Sequence, residues 1–253
     1  MISGDERDLF ARSLAAAVAA PDVDAALAEL GWSDALAEDP QTAVSLLFEL
    51  QGRAAARSRA MEVVMGVDGA VLAPGVAMSG PGDAVHGLDP RLGLVAVDAA
   101  LELSAEALAA GQRALAHELV GVSRGMLDLA RTHALERVQF DRPVAGFQAV
   151  RHRLADTYVA IEAAAALADA AWLDGTPEAA AAAKAVAGRS ARLATRHCQQ
   201  VLAGLGFTTE HTLHHYIRRA LTLNHLLGDT RSITRAMGAD LLASRTVPGL
   251  LPL

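Results

Sequence analysis

In the second half of the chain, apolar side chains recur at the three- and four-residue steps of an α-helix over three long stretches. The first predicted helix begins after Ser104, a residue type favoured at helix N-caps, and runs to about Arg137. The second follows residues 143–146. The third runs from Pro177, a favourable first residue of a helix, to about Leu202. The apolar stripe of the second helix is formed by Phe147, Val150, Leu154, Tyr158 and Ile161.

Shorter helices are predicted on both sides of these three. One spans about residues 213–221, and a last one carries Ile233, Met237 and Leu241 on one face. Residues 5–65 also show helical spacing, in short runs that prolines interrupt. Long helices joined by short turns predict an up-and-down four-helix bundle in the C-terminal part of the chain.

Glycine and proline break the chain repeatedly between residues 66 and 98. Two short apolar pieces, residues 71–72 and 94–97, are typical of one or two short strands set in loops. About thirty residues are too few for an independent β-domain. The pattern therefore predicts a mainly α protein with a short N-terminal helical region (1–65), a vestigial middle β segment (66–98) and a C-terminal helical bundle (99–253).

Composition and charge narrow the class of protein. Hydrophobic residues make up 52% of the chain and aromatic residues only 4%, so the core is built from Ala, Leu and Val, which favours helices. The net charge is −7 and there is no basic stripe with interleaved aromatics, so no nucleic-acid partner is expected. The N-terminus lacks signal-peptide character and no window is apolar enough to span a membrane. A cytoplasmic protein without a membrane partner is predicted.

Two local motifs offer chemistry that the surrounding pattern does not favour. Residues 121–125 match the G-x-S-x-G nucleophile motif around Ser123, which works only on a strand-to-helix turn, whereas here it lies inside a helical pattern. Small residues that let two helices approach closely explain it better. His211, His214 and His215 have spacings that suit metal ligands, but no second ligand cluster accompanies them, so no metal is expected.

Two longer segments carry a family resemblance. Residues 133–156 read HALERVQFDRPVAGFQAVRHRLAD, and residues 200–220 read QVLAGLGFTTEHTLHHYIRRA. Both resemble signatures of the acyl-CoA dehydrogenase family, in the same order and at similar spacing, and the likeness extends over roughly residues 87–245. In that family an N-terminal helical domain, a middle β-domain and a C-terminal four-helix bundle form the subunit, and the bundle of one subunit touches the FAD held mainly by its neighbour.

The resemblance implies which residues would contact FAD. Arg137 would face the diphosphate, for which a guanidinium is a forked and permanently charged donor. The positions that would serve the cofactor are Arg137, Gln139, Phe140, Gln148, Gln200 and Gly204. Two departures from the family pattern are visible, because Asp141 and Ala203 stand where glycine is usual or frequent.

The resemblance also implies where the catalytic base should be, and the sequence lacks it there. The family reaction removes an α-proton from an acyl-CoA thioester with a carboxylate base while a hydride leaves for the flavin. The usual glutamate position corresponds to Leu227, and the alternative position, near the start of the first bundle helix, corresponds to residues 109–111, without a carboxylate. Asp229 and Glu106 are the nearest substitutes. No catalytic residue is therefore assigned, with Asp229 as a weak substitute.

These features lead to three hypotheses. The first is a non-catalytic subunit of a heteromeric acyl-CoA dehydrogenase, a heterotetramer in which a full-length homologue is the partner, similar to actinobacterial enzymes that act on steroid side-chain CoA thioesters. The second is a self-contained acyl-CoA dehydrogenase with an unusual base such as Asp229 or Glu210. The third is a redox-inactive binding or scaffold protein.

Overall fold

The computed structural model describes residues 4–69, 71–78, 87–98, 100 and 102–245. The chain begins with the helices α1 (Gly4–Val18), α2 (Val23–Leu30), α3 (Trp32–Glu38), α4 (Pro40–Ala54) and α5 (Ala60–Met65). It continues with the strands β1 (Val71–Ala73), β2 (Val76–Met78) and β3 (Leu94–Ala96) and with the helix α6 (Ala105–Glu136). The remaining elements are β4 (Val138–Gln139), β5 (Arg142–Pro143), α7 (Gln148–Asp174), α8 (Pro177–Leu202), α9 (Leu213–His225) and α10 (Thr230–Ser244).

The long helices begin and end at residues whose chemistry satisfies the free groups of helix termini. The Ser104 hydroxyl accepts a hydrogen bond from the amide of Ala107 (3.1 Å), which fixes the start of α6. Gly175 ends α7 in the left-handed conformation, and Thr176 caps α8 just before its proline at the first position. The predicted starts of α6 and α8 are confirmed.

The helices α6, α7 and α8 pack against one another as an up-and-down bundle. The start of α6 meets the end of α7, where the Arg113 Nη2 donates to the carbonyl of Gly175 (2.7 Å). The start of α7 meets the end of α8, where the Thr157 Oγ1 lies 3.0 Å from the His197 Nδ1. The helix α9 packs on α6 and α8, and α10 packs on α8. The mainly α fold with a C-terminal bundle is confirmed.

The N-terminal helices are joined to the bundle through α4, which packs along α6. The two backbones nearly touch at two glycines: a Cβ on Gly52 would lie 2.2 Å from the carbonyl oxygen of Glu118, and one on Gly121 would lie 2.0 Å from that of Glu49. One hydrophobic core runs through all three regions of the described chain, from Leu14 to Leu227. The division of the chain into three regions stays a prediction.

Two expectations from the sequence need correction. The middle segment contains three strands rather than one or two, because residues 76–78 also pair, between β1 and β3 in an antiparallel sheet. The second bundle helix does not bury the whole predicted stripe: Tyr158 is 56% exposed, while Ile161 is fully buried. Thr157 and three alanines line the rest of the buried face of α7. The glycine- and proline-rich residues 79–86 of the predicted middle segment lie outside the described residues.

Candidate functional site

The first signature segment folds as a two-residue β-hairpin between α6 and α7. Gln139 pairs with Arg142 across the turn, and the turn residues Phe140 (φ +52°) and Asp141 (φ +60°) both adopt the left-handed conformation. Two consecutive positive φ angles define a type I′ turn, which asparagine and glycine fill most easily. The ring of Phe140 is 87% exposed, so the turn presents a bulky side chain to its surroundings at a backbone conformation that bulky residues rarely adopt.

The hairpin sets the positions of the predicted cofactor residues of the first segment. Arg137 ends α6, with its carbonyl accepting from the amide of Val144 (2.8 Å), and its exposed guanidinium has no ion-pair partner in the described part of the chain. Gln139 is exposed and donates its Nε2 to the carbonyl of Val138 (2.7 Å). Gln148 is the first residue of α7, and its exposed amide lies 3.5 Å from the ring of His152.

The second signature segment covers the end of α8 and the short 3₁₀ turn that follows. Gln200 is exposed in the last turn of α8, and a Cβ on Gly204 would meet nothing within 4 Å. Gly206 is different, because a Cβ there would lie 2.7 Å from the carbonyl oxygen of Gln199. Ala203 keeps a backbone conformation (φ +53°, ψ −132°) that glycine adopts far more easily. The glycine-rich break is thus partly a requirement of the turn itself.

The structure brings the two signature segments to the same end of the bundle. The His197 Nδ1 near the end of α8 lies 3.2 Å from the carbonyl of Arg153 in the first turns of α7. His133, near the end of α6, and His211, after the 3₁₀ turn, line one polar cavity of about 420 Å³. Burial lowers the pKa of His133, and the charges of His211 and Arg137 add to this effect. Side chains from both segments can therefore face one ligand or one partner.

The position expected for the catalytic base is buried and apolar. Leu227 is 1% exposed and has a left-handed backbone (φ +53°). Its Cδ1 lies 2.4 Å from where a Cβ on Gly111 would be, and the Sδ of Met65 lies 2.9 Å from the same point. The two positions at which the resemblance predicts the base therefore meet in space, and here a leucine fills the contact.

Backbone hydrogen bonds hold the Leu227 loop in place. Its amide donates to the carbonyl of Leu72 in β1 (2.7 Å), and its carbonyl accepts from the Nε2 of Gln112 on α6 (3.0 Å). The Nζ of Lys184, on α8, donates to the carbonyls of Asn224 (3.1 Å) and Gly228. Burial lowers the pKa of Lys184 to about 7. Sequence reasoning missed these supports, because nothing in the local pattern marks a lysine that is buried.

The carboxylates that the sequence offered as substitute bases are poorly suited to proton removal. Asp229 caps α10 by accepting from the amides of Arg231 (2.8 Å) and Ser232 (3.0 Å), and these bonds lower its pKa. Glu106 is exposed in the first turn of α6, where a hydrogen bond with its backbone lowers its pKa. Glu210 is exposed in the loop before α9. A carboxylate with a lowered pKa is a poor base for a weakly acidic proton.

A buried ionic cluster, absent from the sequence predictions, lies where α9 meets α6. Arg219 is fully buried and donates its Nε and Nη2 to the Oε1 of Glu118 (3.0 and 2.7 Å) and its Nη2 also to the carbonyl of Ala56. Its Nη1 lies 3.7 Å from the Oδ2 of Asp89. Burial raises the pKa of Glu118 above its usual value, and the nearby Arg219 offsets only part of this increase. The cluster ties three separate regions of the chain together.

The motif around Ser123 serves helix packing, and the histidines make local contacts at the start of α9. Ser123 lies inside α6 with 0% exposure and donates its hydroxyl to the carbonyl of Leu119 (2.7 Å), and the glycines beside it face α4 and α9. The close approach of helices at this motif is confirmed. The ring centroids of His214 and His215 lie 3.8 Å apart with the ring planes tilted by 43°, and the described residues contain no group of three His, Cys, Asp or Glu side chains that could hold a metal ion.

Comparison with known proteins identifies the family. The model of the acyl-CoA dehydrogenase C-terminal domain matches residues 101–242, which is more than half of the chain. The chain belongs to the acyl-CoA dehydrogenase family. The matched region contains both signature segments (133–156 and 200–220), the helices α6–α9 and most of α10.

Relatives with curated names match about half of this chain. Acyl-CoA dehydrogenase IpdE2 of Mycobacterium tuberculosis is 37% identical over 130 residues, covering 51% of this chain and 41% of that protein. Acyl-CoA dehydrogenase FadE34 of the same organism is 39% identical over 157 residues, covering 54% of this chain and 22% of that protein. The matches thus span well under two thirds of the curated relatives' own length.

Solved structures show the same fold. A chain of the Tcur3481–Tcur3483 steroid acyl-CoA dehydrogenase, in its G363A variant, superposes with a TM-score of 0.68 at 21% identity and covers 94% of this chain and 96% of that one. A chain of the ChsE4–ChsE5 complex from Mycobacterium tuberculosis gives a TM-score of 0.55 at 26% identity, with 70% and 51% coverage. No helix in the described part of this chain is long and apolar enough to cross a membrane.

Proposed function

We propose that this chain is the supporting subunit of a heteromeric, FAD-dependent acyl-CoA dehydrogenase that desaturates an acyl-CoA thioester between its α and β carbons. A full-length homologue is the partner, and it holds the flavin and supplies the base. Two observations together carry the proposal. The end of the bundle that holds both signature segments is accessible, and an apolar side chain fills the position expected for the catalytic base. Leu227 packs on Gly111, while Arg137 lies exposed and unpaired by any described carboxylate.

The residues at the signature end fit FAD. The free guanidinium of Arg137 suits a diphosphate, and the exposed amides of Gln148 and Gln200 suit the polar edges of a nucleotide. Gly204, which has open space around its α-carbon, lets a ligand approach the backbone. Gln139 and Phe140 flank the same region. When bound, FAD supplies the acceptor for the hydride.

The apolar contact at Leu227 supports a non-catalytic role for this chain. Proton removal needs a carboxylate within about 3 Å of the proton that it takes. Leucine offers none, and the carboxylate of Asp229 is engaged with the amides of its own helix. Leu227 also fills the space beside Gly111, so a shifted substitute would have to displace a buried side chain.

The relatives support the heteromeric assembly and the substrate class. The Tcur3481–Tcur3483 enzyme is a steroid acyl-CoA dehydrogenase of two named components, and one of its chains has nearly the length and fold of this one. ChsE4–ChsE5 is likewise a complex. We infer a heterotetramer with two copies of each chain, located in the cytoplasm, acting on a bulky acyl-CoA such as a steroid side-chain thioester.

Co-expression with a full-length homologue tests the proposal. The chain alone should be colourless and inactive, whereas the co-purified complex should be yellow, should have the native mass of a heterotetramer and should oxidise an acyl-CoA. Arg137→Gln should reduce the flavin content of the complex, while Arg151→Gln, an exposed arginine on α7, should leave it unchanged. Full activity of the chain alone, or a homologue that never co-purifies with it, would refute the proposal.

A further inference from the structure

A groove of about 810 Å³ lies between α7 and α8 and reaches Thr230, the first residue of α10. We call it the arginine groove, because Arg189, Arg192 and Arg196 line it. Its volume is in the range of pockets that hold small organic ligands, roughly 300–1,000 Å³. None of these arginines belongs to the signature segments or to the residues proposed above to contact FAD.

The three arginines are arranged on one face of α8. They stand at positions i, i+3 and i+7, so their side chains are neighbours along the helix. All three are exposed, and no described carboxylate lies within ion-pair distance of any of them. Like charges at this spacing repel one another. An anion in the groove would relieve that repulsion, although the net charge of the whole chain is −7.

A buried hydroxyl in the same groove is a second and independent observation. Ser190 lines the groove and is only 5% exposed, and its Oγ has no hydrogen-bond partner in the described part of the chain. Serine inside a helix usually bonds to the carbonyl four residues back, as Ser123 does in α6. A buried hydroxyl without a partner carries an energetic cost, which a ligand oxygen inside the groove would remove.

We propose that the arginine groove binds a small phosphorylated molecule with at least two phosphate charges. Guanidinium groups donate two parallel hydrogen bonds to a phosphate, and the Ser190 hydroxyl adds a third donor from the floor of the groove. Ala160 and Ala163 on the opposite wall give an apolar surface for the organic part of the molecule. An acidic helix of a partner protein lying on the surface would reach the guanidiniums, but it would not reach a hydroxyl that is this deeply buried.

Calorimetric titration of the full chain with inorganic pyrophosphate at low salt tests the proposal. One pyrophosphate per chain should bind, and Arg192→Gln should weaken the affinity about tenfold or more, because a charged hydrogen bond is lost. Ser190→Ala should weaken it about fivefold. Arg235→Gln, an exposed arginine on α10 outside the groove, should leave the affinity within about twofold, since it alters only the distant screened charge.

Further titrations distinguish a ligand recognised by its phosphates alone from one recognised also by its organic part. ADP binding more tightly than pyrophosphate would support recognition of an organic part, and equal affinity would support recognition of the phosphates alone. Absence of binding, or equal weakening by Arg235→Gln, would overturn the proposal. Competition by FAD that depends on Arg192 would also overturn the proposal, because the groove would then belong to the flavin site. The same holds if Arg192→Gln releases a co-expressed subunit while pyrophosphate binding stays intact, because the groove would then be a protein interface.

Discussion

At the scale of single residues, the hairpin turn at Phe140 and Asp141 has unfavourable backbone geometry. Both residues have positive φ angles, and a left-handed conformation costs an ordinary L-residue roughly 1–2 kcal/mol. The energetic cost of this conformation is smaller for asparagine and aspartate than for most residues, and it is smallest for glycine. Strain of this kind persists where the surrounding structure imposes it, frequently at sites that bind a ligand.

We expect Asp141→Gly to stabilise the protein by about 1 kcal/mol, because glycine adopts this φ angle without steric cost. Urea unfolding followed by circular dichroism measures the change. Asp156→Gly is the matched control: it places glycine inside α7 and should destabilise by roughly 0.3 kcal/mol, since aspartate is itself a poor helix former. Equal effects of the two substitutions would show that the turn is not strained in solution.

His117 is a buried histidine whose protonation opposes folding. Its Nε2 accepts a hydrogen bond from the Nε1 of Trp172 (3.1 Å), and burial lowers its pKa from 6.5 to about 4. The unfolded chain therefore takes up a proton at higher pH than the folded chain does. The stability tied to neutral His117 is complete above about pH 6.5, declines as the pH falls from about 6.5 to 4, and changes no further below that.

The free energy of unfolding should therefore fall by about 3 kcal/mol more in the wild type than in His117→Gln between pH 6.5 and 4. Urea titrations at a series of pH values measure this difference, with tryptophan fluorescence as the probe. His152→Gln, an exposed histidine on α7, should follow the wild-type curve. Parallel curves for the wild type and His117→Gln would contradict the expected titration.

At the scale of elements, the crossing of α4 and α6 depends on glycine. The missing Cβ atoms of Gly52 and Gly121 allow two backbones to meet, and their ideal Cβ positions are 2.0–2.2 Å from carbonyl oxygens of the opposite helix. Backbone atoms cannot move aside as flexible side chains can. This crossing is the main attachment of the N-terminal helical region to the bundle, with α5 as a second contact on α6. The distance between the axes of α4 and α6 therefore helps to set the position of that region.

Gly121→Ala should destabilise the protein by several kcal/mol, because the added methyl group forces the helices apart. Gly238→Ala in α10 is the matched control: no atom lies within 4 Å of its new Cβ, so the substitution should stabilise by about 0.5–1 kcal/mol through helix propensity. Thermal unfolding of both variants measures the contrast. A neutral Gly121→Ala would contradict the close crossing.

The sequence was informative about elements where local chemistry decides their boundaries. Ser104 and Pro177 predicted the starts of α6 and α8, because a capping hydroxyl and a proline both act on the first turn of a helix. The buried face of α7 was less predictable. Three alanines make up most of it, and alanine occurs both in cores and on surfaces, whereas the larger side chains Tyr158 and Val159 lie exposed. The strand β2 has only three residues, which is too short for an alternating pattern.

The candidate site was predictable only in part. The two signature segments were recognised by resemblance, and the structure adds that they lie at one end of the bundle. Buried polar supports were not predictable: Arg219 meets Glu118 across 101 positions of sequence, and Lys184 meets the Gly228 carbonyl across 44. Charged residues are rarely buried, so no local pattern distinguishes these two from exposed ones.

At the scale of the whole molecule, Arg219 connects regions that the sequence separates. It joins α9 to α6 through Glu118, to the residues after α4 through the Ala56 carbonyl, and to the middle segment through Asp89. Two carboxylates facing one guanidinium leave the cluster with an excess negative charge unless one takes up a proton. Removing the arginine leaves both carboxylates buried without a counterion.

Arg219→Met should destabilise the protein by about 3–5 kcal/mol, the usual cost of breaking a buried ion pair on one side. Arg218→Met, the neighbouring and less buried arginine, should change stability by less than about 1 kcal/mol. Denaturant unfolding at neutral pH measures both variants. Removing Glu118 as well, in Arg219→Met with Glu118→Leu, should recover part of the loss, because only Asp89 then remains buried without a counterion.

The Leu227 loop has an evolutionary consequence. Its amide and carbonyl are engaged by Leu72 and Gln112, and its side chain occupies the space over Gly111. Leu227→Glu would place a carboxylate among apolar groups, at a cost of several kcal/mol, before any catalytic benefit appeared. Under the function proposed above, the packed leucine would be a one-way evolutionary step: such a lineage could not regain an independent enzyme by one reversion, and its survival would depend on its partner gene.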